Sequence, residues 1–143
     1  MNEQDELIED FIAEIKTLHI DLKVIVTKLD SPKMEKALFE KFGQMVDRIY
    51  GTAMTLGYTE IGKYLLAIKN ISYLSSQSDR ELGQKKALRM MMDCVDNIEK
   101  ICLIIYKKDE LAKLERSFLQ EIARADHLTK TEFQNITRKS IAY

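Results

Sequence analysis

Asp47 stands four residues after Gly43 and four before Gly51. At about 100° per residue, one helix would carry all three on the same face. The stripe Leu38, Met45, Ile49 would then turn inward and Asp47 outward. A carboxylate between two small residues is open to a docking partner, and the chemistry open to it is phosphoryl acceptance. That reaction needs a metal ion and a lysine beside a cluster of acids, and the sequence has no acidic cluster with glycine-rich loops around it. A lone exposed aspartate, with a pKa of about 3.9, is simply charged. It could imitate a phosphorylated side chain with less charge and a shorter reach, or it could be an ordinary solvated helix residue.

The other chemistry-bearing residues are few. His19, four residues before Lys23, offers a nucleophilic imidazole but lacks a glycine surround. The bland reading is a surface or packing histidine. His127 follows Ala125-Asp126 in a polar stretch and reads as a loop residue. Two histidines so far apart form no metal motif. Cys94 and Cys102 lie eight apart on one expected helix. Eight residues span about 12 Å along the axis, too far for a disulfide, so buried free thiols in a reducing compartment are expected. Phosphate-binding loops, nucleophile triads and paired catalytic carboxylates are absent as patterns. We therefore expect no catalytic residue, no metal and no cofactor.

Composition limits the partners. The chain has 143 residues, 22 basic and 23 acidic side chains and a net charge of −1. That balance gives no case for a nucleic-acid binder or for a membrane-surface protein. No apolar run approaches the roughly 18 residues of a membrane span, and the acidic segment 1–10 has no signal-peptide core. A cytoplasmic location is expected.

The elements that must position Asp47 are helical. One proline and five glycines in the whole chain favour long helices. Leu7, Ile8, Phe11, Ile12, Ile15, Leu18, Leu22, Ile25, Val26 and Leu29 repeat at helical spacing and predict a first helix over 4–29. Ser31 is placed to cap a second helix with Pro32 at its first position, over 32–55. Gly57 can end it. Thr59 can cap a third helix, and Ser75 to Ser78 read as a polar connection. Ser78 and Glu81 form a capping-box pattern for a fourth helix over 79–106. Leu111, Leu114, Phe118 and Ile122 predict a fifth over 109–125. Thr129 and Glu132 repeat the capping-box pattern before a short sixth near Phe133 and Ile136. The fold class expected is all-α, an antiparallel bundle over 1–125 with a tail over 126–143.

The segment Asp47-Arg48-Ile49-Tyr50-Gly51-Thr52-Ala53-Met54-Thr55-Leu56-Gly57 resembles the phosphorylation helix of histidine-containing phosphotransfer domains. That family has a histidine, a lysine three residues on, then glycine, a hydroxyl residue and a small residue, with a large apolar residue and glycine following after a gap of two residues. Gly51, Thr52, Ala53, Leu56 and Gly57 match. Asp47 replaces the histidine and Tyr50 the lysine. Tyr58-Thr59-Glu60-Ile61-Gly62 and Ala67-Ile68 look like the family's next helix. Met92-Asp93-Cys94-Val95-Asp96-Asn97-Ile98 is similar to a helix in the phosphoacceptor domains of chemotaxis histidine kinases. The resemblance covers about 38 to 105.

The resemblance implies a four-helix bundle with an additional C-terminal helix. It also implies a role in bacterial two-component or chemotaxis signalling. With the phosphorylated histidine missing, it points to a non-catalytic adaptor or inhibitor. The partner would be a response-regulator receiver domain or a histidine kinase, bound through Gly43, Gln44, Asp47, Arg48, Tyr50, Gly51 and Met54. Tyr50, Met54 and Tyr58 either form an apolar rim beside Asp47 or pack inward; the sequence leaves both open. Two other readings stand beside this one. The first is a structural or oligomerisation module that pairs two chains through residues 109–143. The second is a phosphotransferase that uses His19.

Overall fold

The computed structural model describes residues 2–136. Five long helices account for most of them, and no strand occurs among the described residues. Helix α1 runs Glu3–Leu29. Asn2 caps it: its side chain accepts from the Asp5 N–H at 2.8 Å, and the Asp5 carboxylate accepts from the Asn2 N–H. Helix α2 runs Lys36–Thr55, four residues later than the sequence predicts. Pro32 lies in a bend, and the Ser31 hydroxyl donates to the Lys33 carbonyl at 2.9 Å instead of capping a helix. Gly57, at φ 87°, takes the left-handed conformation that ends α2.

Helix α3 runs Thr59–Ser76. Ser75 and Ser76, expected in a connection, belong to its last turn and are buried. Helix α4 runs Glu81–Ile104. Its expected capping box does not form; the Ser78 hydroxyl accepts from the Arg80 N–H at 2.9 Å within the turn. The buried Gln84 amide closes this turn by donating to the carbonyls of Ser75 and Ser78 at 3.2 and 2.7 Å. Those bonds satisfy polar groups that would otherwise be costly to bury.

Helix α5 runs Lys108–Glu132 and so continues past residue 125. Thr129 and Glu132 lie inside it, and the Thr129 hydroxyl donates to the Ala125 carbonyl, so the capping box expected there does not form. A further helical turn occupies Gln134 to Ile136. Residues 137–143 of the expected tail lie outside the described residues.

The helices pack around one core, an arrangement compatible with a four-helix bundle plus a C-terminal helix. Helix α1 packs on α2 and α4, and α3 packs on the same two; α5 lies against α3 and α4. Contacts fix the directions. Glu14 meets Thr52 while Phe11 meets Tyr58 just past α2; Gly43 meets Ser72 while Met54 meets Gly62; and Tyr64 meets Asn97 while Ser75 meets Gln84, so consecutive helices of α1–α4 are antiparallel. Helix α5 runs parallel to α3: the Tyr64 and Phe118 rings stack at 4.1 Å, 5° apart in plane, and Gln77 and Ser78, just past the end of α3, line one pocket with Thr131 and Glu132 at the end of α5. The core takes one stripe from each helix, including Phe11, Ile15 and Leu22 of α1, Phe42 and Ile49 of α2, and Leu65 of α3. From α4 come Met91 and Ile98. Of the three consecutive methionines, Met90 and Met91 are buried and Met92 is exposed.

Candidate partner-binding site

Asp47 lies in the middle of α2 on the side away from Ile49, as the periodicity predicts. Its side chain is 48% exposed, so the carboxylate reaches solvent. It is not alone. The ammonium of Lys69, on the facing side of α3, donates to its Oδ1 at 2.9 Å. The sequence reading of a lone carboxylate is corrected on that point: Lys69 is 22 residues away and is brought in by the antiparallel packing of α2 and α3.

The flanking glycines behave differently from one another. Gly51 is exposed, and a Cβ built on it would meet nothing within 4 Å. Gly43 is buried, and a Cβ there would touch the Ser72 Cβ at 3.4 Å and the Lys69 carbonyl at 3.5 Å. Gly43 therefore serves the contact between α2 and α3 and offers no surface to a partner, contrary to the sequence expectation. Both glycines share a face of α2, but α3 covers only one of them.

The remaining expected residues divide in the same way. Gln44 and Arg48 are exposed. Met54 is partly exposed, yet its sulfur occupies the space over Gly62 on α3, with the Tyr50 ring beside it. Tyr50 is half-buried against the core. Tyr58 is also half-buried, and its ring stacks on Phe11 at 6.1 Å. Burial, with the nearby Glu115 carboxylate second, pushes its hydroxyl pKa up. The two tyrosines thus pack inward and do not form a rim.

What stays open is a shallow depression of about 390 Å³ lined by Glu14, Asp47, Arg48, Gly51, Thr52 and Thr55. The Thr52 hydroxyl, one turn from Arg48, donates to Glu14 of α1 at 3.1 Å. Glu14, Thr52 and Thr55 were not among the residues chosen from sequence. Thr55 could have been found, since it follows Gly51 by four; Glu14 could not, because it arrives from another helix. The depression holds two carboxylates, one guanidinium and two hydroxyls, with Lys69 behind Asp47. These groups can bind a polar protein surface. No group of three or more metal-ligating side chains occurs among the described residues.

Comparison with protein-family models, with curated proteins and with solved structures finds no match for this chain.

Neither the histidines nor the cysteines line this depression. His19 is 19% exposed; its Nε2 is covered, makes no hydrogen bond among the described residues and lies 3.9 Å from the Glu99 carboxylate. His127 lies on α5, not in a loop, and is exposed. Cys94 is buried and Cys102 half-buried, both as free thiols. Burial pushes the Cys94 thiol up to about 12. Within the segment 109–143 that could pair two chains, α5 buries Leu111, Phe118, Ala125 and Leu128 against its own chain. No described helix is long and apolar enough to cross a membrane.

Proposed function

We propose that this chain is a non-catalytic relative of histidine-containing phosphotransfer domains that binds a receiver domain or a histidine kinase. The contact surface is the outer face of α2: Gln44, Asp47, Arg48, Gly51 and Thr55. The observation that carries the reading is the half-exposed Asp47 carboxylate beside a glycine with open space over it. The fold suits this: antiparallel helices α1–α4 packed around one core, with α5 against α3 and α4, would correspond to the family's bundle with a C-terminal addition. Lys69 supplies the lysine that phosphoryl acceptance needs, but the depression brings only Glu14 to Asp47, short of the acidic cluster that would hold the metal ion. Binding without transfer is the function that remains, and it would block or scaffold phosphoryl flow.

Calorimetry with purified receiver and kinase domains tests the proposal. A cognate domain should bind, and Gly51→Arg should abolish the binding while leaving the helical circular dichroism intact. Binding by none of them, or binding untouched by Gly51→Arg, overturns it.

A further inference from the structure

A second face of the molecule collects positive charge. Where the first half of α4 packs on the second half of α5, a groove of about 470 Å³ opens between the helices. Its charged or titratable walls are Lys86 and Arg89 on α4 and Arg124 and His127 on α5; no carboxylate lines it. Its floor is apolar, made by Met90, Ala123 and Leu128, with Met90 and Leu128 buried. In a chain of net charge −1, this concentration of cations is local.

The cations differ in what holds them. Lys86 reaches Glu132 at 3.4 Å and Arg124 reaches Glu121 at 2.9 Å. Arg89 is exposed and has no carboxylate partner among the described residues. The His127 ring is exposed and makes no hydrogen bond among them. A free guanidinium over an apolar floor presents five donors in a planar fork, a shape that matches a carboxylate. The volume lies in the range of ligand-sized clefts. It suits one apolar side chain with acidic residues to either side.

We infer that this groove docks a short acidic peptide segment of another protein, with an apolar residue seated on Met90 and Leu128 and carboxylates on Arg89 and Arg124. Charge complementarity selects this occupant. A nucleic-acid backbone needs a longer run of free cations, whereas here Lys86 and Arg124 already meet Glu132 and Glu121; a short peptide does not. The groove lies on α4 and α5, whereas the Asp47 face lies on α2, so the inference does not rest on the function proposed above.

The test is fluorescence anisotropy with a labelled peptide of sequence Glu-Asp-Glu-Leu-Leu-Glu-Asp-Glu, on the full chain at low salt. The expected result is saturable binding that weakens as salt is added. The matched peptide with Gln and Asn in place of the acids should not bind. Arg89→Glu with Arg124→Glu should weaken binding about tenfold or more, as loss of two exposed charge pairs implies. Both sites are exposed, and circular dichroism checks the fold. Amide shifts on adding peptide should map to residues 86–90 and 123–131. No binding at low salt, equal binding by the double variant, or shifts elsewhere overturns the inference. So does tighter binding of a single-stranded oligonucleotide than of the peptide.

Discussion

The Asp47 carboxylate and the Lys69 ammonium meet at 2.9 Å across the seam between α2 and α3. The pair is the outermost layer of that seam. Below it Gly43 lies against the Ser72 side chain, and along it Met54 fills the space over Gly62. The same packing that makes the candidate site therefore also neutralises its central charge.

Because both partners are well exposed, 48% and 38%, the pair contributes little to stability. Asp47→Asn and Lys69→Gln should each change the unfolding free energy by less than about 1 kcal/mol. A double-mutant cycle in urea measures the coupling. A coupling well above that would mean the seam is drier than its exposure indicates.

Two glycines should respond differently to alanine. At Gly62 the new methyl would collide with the Met54 sulfur, the far end of a flexible side chain that can swing outward. Helix propensity favours alanine by about 1 kcal/mol, so Gly62→Ala should be near neutral. At Gly83 the methyl would meet the Glu132 Cβ at 2.9 Å and the Phe133 ring at 3.1 Å. That neighbour is the end of α5, and displacing it should cost about 1–3 kcal/mol. Thermal melts of the two variants, compared side by side, check the contrast.

The buried Tyr64 hydroxyl accepts from the Asn97 amide at 2.9 Å and interacts with the Cys94 thiol. Tyr64→Phe keeps the stack on Phe118 but removes the acceptor of the Asn97 amide and the O–H that donates to the Cys94 sulfur, at a cost of about 1–3 kcal/mol. Phe118→Ala should cost more, about 3–5 kcal/mol. In the native protein at pH 8, Cys94 should resist a thiol reagent until the chain unfolds, since burial holds its thiolate back. Cys102, only half-buried, should react first. Ellman titration with and without urea reads both.

Acid should release the end of α5 from α4. The Glu132 side chain is 7% exposed and takes Arg80 at 2.8 Å and Lys86 at 3.4 Å. The hydrogen bond from Arg80 holds its carboxyl below the ordinary value of 4.5. A folded pKa below the unfolded one contributes stability that is full above the unfolded value. That contribution is lost as pH falls through the folded value. The attachment should therefore hold at about pH 6 and loosen only as pH falls below the ordinary carboxyl value of 4.5. Exchange of the backbone amides over 128–133 against pH measures it, and Glu132→Gln should remove the step.

Periodicity made all five helices legible, because an amphipathic stripe has to be buried whatever it is buried against. It also placed Asp47 outward, since that follows from angle and not from neighbours. Helix α5 was legible further than its expected end. Phe118, Ile122, Ala125 and Leu128 continue one stripe, but a small residue at 125 among polar ones hides the repeat. The inward turn of Tyr50 and Tyr58 was not legible, because an aromatic ring with a hydroxyl suits either side.

The sequence by itself determined the all-α class, the approximate helices and the side of α2 on which Asp47 stands. These depend on residue type and on the pitch of a single helix. Tertiary structure alone decided that Lys69 meets Asp47, that Gly43 is covered while Gly51 is open, and that Arg89 and Arg124 share a groove. Each is a meeting of two elements, and the crossing of two helices is set by how their side chains interlock, not by either pattern read alone.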